Sequence, residues 1–358
     1  MINGGLVVDA TVHPYNLGPE NERGEGTDQL RAVHALHKMF TGERHKDYML
    51  TQPEFDSDFD LDAFSHALFA ESQVDVAVLH ALPQLGFTKG WLTDVRPLAE
   101  LRDRHPHRYL LYGTVDTYDT DAAIRQLEWQ VKEFGVVGLK LYPVFFRYDG
   151  MARGWRLDDL EFAYPLLDAA RDLGIRNIAV HKAQPLSQPS LEFLRVGDLE
   201  GPLGRYPDLN FQIVHAGLAF LEETRLMMFQ APNLYANLEL VAANAVIRPR
   251  LFLETIGEML FWAKPEQILF SSGCNIVHPQ PALEAFSDMV MPQDLIDERG
   301  YPELTEETKR KILGENSARL HDLDADQVLA KLKGDEFDML KSQGLRPPWS
   351  GLRDHSTA

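Results

Sequence analysis

The sequence predicts an α/β fold: a (β/α)8 TIM barrel with a long insertion after its first strand and a helical extension at its C-terminus. Three observations carry this prediction. Eight short β-rich apolar runs recur along the chain with helical patterns between them. The turn after the first run, DATVHPYN, has no glycine, where a doubly wound sheet would need a glycine-rich one. The 358 residues fit one barrel plus additions.

The expected strands are 6–13 (LVVDATVH), 74–80 (VDVAVLH), 109–115 (YLLYGTV), 136–142 (VVGLKLY), 176–181 (RNIAVH), 209–215 (LNFQIVH), 233–239 (NLYANLE) and 267–272 (QILFSS). Helices are expected between them. Residues 119–134 carry Ile124, Leu127 and Val131 at helical spacing, and 159–173 carry Leu160, Ala163, Leu166, Leu167 and Ala170. Residues 218–230 and 248–262 continue the alternation, the latter with Leu251, Ile256 and Leu260. The insertion spans about 14–60, has its own helical pattern near 28–40, and precedes a helix at 60–72. In a barrel such a loop lies at the C-terminal mouth. Past 314, Leu320, Val328, Leu329 and Leu332 predict packed helices, and 343–358 reads as an irregular tail. The expected division is a barrel over 1–321 and a C-terminal helix and tail over 322–358.

Composition excludes several function classes. Hydrophobic residues make up 44% and charged residues 25%, and no apolar run approaches the roughly 20 residues that cross a bilayer. Lys and Arg total 35 against 54 Asp and Glu; the net charge of −19 opposes nucleic acid and anionic membrane surfaces. The single cysteine, Cys274, cannot form an internal disulfide, and the N-terminus lacks the pattern of a signal peptide, so the cytoplasm is expected.

Barrel enzymes place their chemistry at the C-terminal ends of the strands. His13 ends the first strand, His80 the second, His181 the fifth, His215 the sixth and Glu239 the seventh; Asp116 follows the third, and Lys140 and Tyr142 close the fourth. With 13 His in 358 residues, eight random strand ends would hold roughly 0.3 histidine, and here four do. Neutral imidazole ligates Zn²⁺, Mn²⁺ or Fe²⁺ and exchanges protons near neutral pH. A divalent ion at a barrel mouth polarises a carbonyl or acidifies a bound water.

The elements VVDATVHP, GLKLYP, AVHKA, IVHAGL, ILFSSGCNIVHP and ILGENSARLHDL, in this order over about 6–321, resemble the amidohydrolase-related enzymes. That family includes aminocarboxymuconate-semialdehyde decarboxylase and the resorcylate decarboxylases. The resemblance implies a metal-assisted hydrolase or non-oxidative decarboxylase of a small carbonyl or carboxylate compound. It implies metal ligands at Thr11 and His13 on the first strand, at His181, and at Gly273 on the eighth, with His215 acting in proton transfer. Threonine and glycine depart from that pattern, and glycine can neither ligate nor act as base. Three readings stay open. The site holds a metal through substitutes such as Asp9, Glu239, Cys274 or His278; it works without metal, as the related 2-pyrone-4,6-dicarboxylate lactonase is thought to; or it is a degenerate barrel that only binds a ligand.

The first reading gives the working expectation. His13 and His181 hold a divalent ion, zinc in preference to magnesium because the donors are histidines. His215, Lys140 and Glu239 are catalytic, and Thr11, His80, Tyr142, Cys274 and His278 contact substrate. Lys140 is also read as structural glue paired with Asp116 or Glu239. By period-two alternation Asp9 shares a face with Thr11 and His13, and Lys182 faces away from His181 into a loop position. His34 and His37, at i and i+3, read as a mouth or surface pair before a metal pair. Arg147 and Arg153 read as surface residues before acid-binding ones. The run Glu54, Asp56, Asp58, Asp60, Asp62 reads as a solvated loop leading to a helix cap at Asp60. The tail with Leu345, Pro347, Pro348 and Trp349 is apolar for a terminus and predicts a homodimer or larger homo-oligomer.

Overall fold

The structure is a computed structural model that describes residues 4–22, 27–83, 88–117, 119–146, 152–185 and 191–354. Eight parallel strands lie in sequence order around one sheet: Val8–Val12, Val76–His80, Tyr109–Thr114, Gly138–Leu141, Asn177–His181, Asn210–Val214, Leu234–Asn237 and Ile268–Leu269. They are referred to below as strands one to eight. Most of their residues are buried, which is why they read as apolar runs and not as alternating ones. Between strands one and eight the sheet is closed by single backbone bonds, Ala10 N–H to Phe270 O (3.0 Å) and Gly273 N–H to Thr11 O (3.2 Å). The result is a (β/α)8 TIM barrel.

Strand eight is shorter than the sequence predicts, and the reason is where its donors go. Phe270 N–H bonds Ile312 O at 2.9 Å and Ser272 N–H bonds the Asp9 carboxylate at 2.9 Å, so neither joins a ladder. Strand one carries a second departure. Its register shifts between Asp9 and Val12, the signature of a bulge. Val8 packs inside with Val76, Val78 and Tyr112, and Ala10 with Tyr235 and Leu269. Thr11 also faces inward, where it accepts from Asn237. Asp9 therefore does not share a face with Thr11 and His13, and the expectation from strict alternation is corrected.

Below the mouth a chain of hydrogen bonds crosses the barrel interior. Glu239 N–H donates to Asn237 Oδ1 (3.2 Å). Asn237 Nδ2 donates to Thr11 Oγ1 (2.8 Å) and Gln212 Oε1 (3.1 Å), and Gln212 Nε2 donates to Tyr112 Oη (3.0 Å). Tyr112 Oη meets His321 Nε2 at 2.7 Å, and His321 Nδ1 donates to Ser317 O at 2.7 Å. Every member is buried or nearly so, and each donor meets an acceptor, the condition under which a polar layer is tolerated in a core. Gly138 makes room for it, since a Cβ there would fall 2.3 Å from the Tyr112 ring.

Helices cover the barrel at the predicted places, including Thr120–Phe134, Ala163–Asp172, Leu221–Gln230 and Pro249–Trp262. Asp60 caps Leu61–Phe69 by accepting from Ala63 N–H at 2.7 Å, and the left-handed Gly135 (φ +59°) ends Thr120–Phe134. The insertion contributes Thr27–Thr41. His37 secures that helix: Nδ1 donates to Ile276 O (2.7 Å) and Nε2 accepts from Leu50 N–H (2.9 Å), with Phe55 stacked on both His37 and His34. His37 is structural here, with no lone pair left for a metal.

The C-terminal region packs as Ala325–Leu332, Glu336–Lys341 and Ser350–Asp354, so the tail is not irregular throughout. Trp349 is 1% exposed, set edge-on against Phe59 and His278 with its indole N–H on Tyr48 O (2.8 Å). Its burial within its own chain takes Trp349 out of the apolar tail surface, while Leu345 and Pro347 remain exposed. Among the described residues no helix is long and apolar enough to cross a membrane.

Candidate active site

The ends of strands one, two, four, five, six and seven bring His13, His80, Lys140, Tyr142, His181, His215 and Glu239 together, all buried. Parallel strands must all point the same way, so residues that end them converge. Glu239 is the centre of charge. Its Oε1 lies 3.1 Å from His13 Nε2, and its Oε2 lies 3.6 Å from Lys140 Nζ and 4.0 Å from His215 Nε2. Burial would raise this carboxyl, but Lys140, His13 and His215 outweigh it and hold the group well below the usual carboxylate range. Burial pushes the Lys140 ammonium down to about 8 against the opposing pull of Glu239. Among the described residues neither Lys140 Nζ nor Glu239 Oε2 finds a hydrogen-bond partner, and neither does either ring nitrogen of His80.

The tautomers of two histidines follow from their carbonyl partners, which can only accept. His181 Nε2 donates to Gln184 O at 2.6 Å, and His215 Nδ1 donates to Glu239 O at 3.1 Å. Burial pushes the His215 imidazole down to about 4 and His181 well below its ordinary value, so both rings are neutral at neutral pH. Their remaining nitrogens, His181 Nδ1 and His215 Nε2, then turn lone pairs toward each other across 3.2 Å. Tyr142 stacks on His181 with centroids 4.6 Å apart and holds that ring in place. His13 differs: Nδ1 faces His80 O at 2.9 Å and Nε2 faces Glu239, so both nitrogens are directed at acceptors.

The remaining expected residues lie elsewhere. Thr11 sits one layer down, in the interior hydrogen-bond chain. Cys274 is fully buried in the apolar core, where burial raises its thiol well above the ordinary value and keeps it protonated. His278 caps the helix Pro279–Asp288 and meets Glu71 at 3.3 Å, beside Tyr48 and Trp349. Asp9 accepts from Ser272, and burial pushes its carboxyl up to about 7. Lys182 takes the expected loop position just past strand five, but it is buried there, with Nζ 2.7 Å from Asp198 Oδ2 and donating to Phe193 O. Arg147 lies outside the described residues, and Arg153 falls in the second strand of a short hairpin, Ala152–Gly154.

The fate of position 273 explains the missing strand-eight side chain. Gly273 has φ +75°, and a Cβ there would stand 3.0 Å from Glu239 Cγ and 3.3 Å from Glu239 Oε1. Glu239 fills the space that a side chain at 273 would enter. The sequence pointed to both residues but not to their exclusion of one another.

A family model described as Amidohydrolase matches residues 9–323. The chain belongs to the amidohydrolase family. It is thereby an enzyme of the amidohydrolase superfamily. No curated protein matches it. Solved structures share the fold at low identity. An uncharacterized TIM-barrel protein from Bordetella bronchiseptica is 17% identical with a TM-score of 0.63, covering 91% of this chain and 99% of the other. A 5-carboxyvanillate decarboxylase from Novosphingobium aromaticivorans, complexed with manganese and 4-hydroxy-3-methoxy-5-nitrobenzoic acid, is 15% identical with a TM-score of 0.58, covering 90% and 97%. A 2,6-dihydroxybenzoate decarboxylase complexed with 2,6-dihydroxybenzoate is 16% identical with a TM-score of 0.57, covering 89% and 100%.

Manganese in such a neighbour raises the question of whether this amidohydrolase's residues suit a divalent ion. Among the described residues no three His, Cys, Asp or Glu side chains are gathered tightly enough to form a ready-made site. The nearest approach to one is a pair of imidazoles beside a carboxylate. Two neutral imidazoles, each fixed by a carbonyl on its far nitrogen, turn lone pairs toward each other, and Glu239 Oε2, ion-paired with Lys140, lies 4.0 Å from His215 Nε2. His13, expected as a ligand, instead directs both nitrogens at oxygen acceptors.

Proposed function

We propose that this amidohydrolase removes CO₂ non-oxidatively from a small carboxylate-bearing compound at the mouth cluster. The observation that carries the reading is the pair of facing lone pairs on His181 and His215 beside the buried Lys140, which is ion-paired with Glu239. His181 Nδ1 and His215 Nε2, with Glu239, would hold a divalent ion; nitrogen donors favour zinc or manganese over magnesium. When bound, the ion would polarise an oxygen of the substrate. His13 keeps the Glu239 carboxylate in place, and Gln184 O and Glu239 O keep the two imidazoles turned inward. Lys140 Nζ, pushed down to about 8 by burial, suits proton transfer. As the C–C bond breaks, its electron pair stays on the substrate carbon, CO₂ departs, and that carbon takes a proton from the ammonium. Lysine then recovers a proton from solvent. His215, which the sequence suggested as proton carrier, has its inward nitrogen committed to the ion in this scheme.

The decarboxylases among the structures that share the fold, complexed with aromatic carboxylates, support this reaction class. Hydrolysis of a lactone or amide is the second reading, supported by the description of the matching family model as Amidohydrolase. The test is elemental analysis of the purified protein followed by a screen of aromatic acids, lactones and amides. Retained Zn or Mn that His181→Ala removes, with CO₂ release that Lys140→Met lowers in kcat more than it raises KM, is the expected result. Wild-type turnover in both variants would remove the reading.

A further inference from the structure

We infer that the outer face built on the helix Leu221–Gln230 is where a second copy of this chain docks, Phe229 of each copy entering the groove beside the same helix of the other. The inference is independent of the reaction proposed above and adds an interaction surface on the flank of the barrel.

The face has a knob on one side and a hole on the other. Leu221–Gln230 follows strand six, and it is flanked by Glu200–Arg205, which precedes strand six, and Pro249–Trp262, which precedes strand eight. Toward Pro249–Trp262, Phe229 is 66% exposed and stands edge-on to Trp262 with centroids 6.1 Å apart. Phe261, also edge-on to Trp262, is 53% exposed, and Leu226, one turn before Phe229, is 47% exposed. Toward Glu200–Arg205 a groove of about 350 Å³ is lined by Leu203, Pro207, Met227, Ala231 and Pro232, room enough for an aromatic ring. The three exposed side chains leave roughly 300 Å² of apolar surface in water, against ~800 Å² per partner in a standard interface, the rest falling to the groove walls and the helix between.

The arrangement is self-complementary under one symmetry. A twofold axis lying in the interface parallel to the helix exchanges left and right but keeps height along it, so each copy's Phe229 meets the other's groove. Height agrees, because Phe229 is within one helical turn of Met227 and Ala231. Charge agrees as well. A chain of net charge −19 repels its own copy unless the contact face is low in unpaired acids. Glu223 and Glu258 are paired with Arg195 and Arg225, and Glu222 stands about two turns from Phe229. Glu200, which lines the groove, is brought by the same axis to the Lys264 side of the other copy, just past Trp262.

Light scattering on the full chain at micromolar concentration should give twice the 40.6 kDa of one chain. Phe229→Ser removes the knob. Gly204→Tyr fills the groove from a position where a Cβ meets nothing within 4 Å, and neither change alters the net charge. Each should weaken self-association about tenfold or more while leaving the circular dichroism of the chain unchanged. Mixed together, the Phe229→Ser chain offers an intact groove and the Gly204→Tyr chain an intact Phe229. One contact of the two then re-forms, and the mixture should dimerise more tightly than either variant alone. Leu345→Ser, on the exposed tail, should leave the dimer intact. A monomeric wild type, a dimer that survives both changes, or one that Leu345→Ser dissociates and Phe229→Ser does not, overturns the inference and leaves the proposed reaction standing. Should Phe229→Ser not fold, Phe229→Gln takes its place in the same comparison with Gly204→Tyr.

Discussion

At the scale of single residues, the decisive feature is that two positions compete for one volume. Glu239 from strand seven occupies the space in front of Gly273 on strand eight, and Gly273 itself is in a left-handed conformation. Restoring an aspartate there should fail. Gly273→Asp adds left-handed strain to a steric overlap with Glu239 and Leu240, and is expected to cost about 2–4 kcal/mol in urea unfolding. An unchanged midpoint would mean that Glu239 can vacate the space. The sequence identified the strand-end histidines, Lys140 and Glu239 because each ends an apolar run. It did not show which nitrogen of each ring faces inward, since that is set by carbonyls of Gln184, Glu239 and His80 brought there by the fold.

At the scale of elements, two buried polar anchors hold segments outside the strands to the barrel. Glu71, just before strand two, accepts from Trp349 N–H (2.6 Å), Ser350 Oγ (2.8 Å) and Gly351 N–H (3.1 Å), and so ties the last helix to the barrel wall. Trp349→Ala should therefore destabilise the folded chain by about 3–5 kcal/mol without altering metal content, as followed by thermal unfolding and elemental analysis. A loss under about 1 kcal/mol would return the tail to the role of a loose surface segment. The second anchor is Lys182 with Asp198, which also accepts from Leu157 N–H at 3.0 Å. Asp198→Asn leaves the lysine buried without a counter-charge, and a cost of about 3–5 kcal/mol is expected in chemical denaturation. Neither anchor was legible in the sequence: Lys182 was read as a loop residue because alternation says only that it turns away from His181, and the partner sixteen positions on comes from packing.

At the scale of the whole molecule, acid sensitivity follows from histidines buried as neutral rings. Burial lowers His37, His215 and His321 from 6.5 to about 4 each. The unfolded chain takes up protons at 6.5 while the folded chain resists until about 4, so each group's contribution is intact above 6.5 and lost as pH falls through that window, at about 1.4 kcal/mol per pH unit. Asp9 acts in the opposite sense. Raised to about 7, it costs stability at neutral pH and returns it as pH falls from 7 toward 3.8. Three groups against one leave a net loss, and unfolding midpoints in urea should fall steadily from pH 6.5 to 4. His321→Phe should reduce the slope by about one group's share, and a profile flat across that window would show that these rings are not held neutral.

What the sequence determined by itself was the periodic content: eight strands, the helices between them, and polar residues at the strand ends that must converge because parallel strands share a direction. These are local signals, written in hydrophobic spacing within ten or fifteen residues. The tertiary structure alone decided the rest. A bulge in strand one turned Asp9 away from the face of His13. Bonds from Phe270 and Ser272 to Ile312 and Asp9 shortened strand eight. Glu239 took the volume before Gly273, and Trp349 went inside. Each of these depends on which distant group reaches a donor, a charge or a space first, and a one-dimensional pattern does not encode that competition.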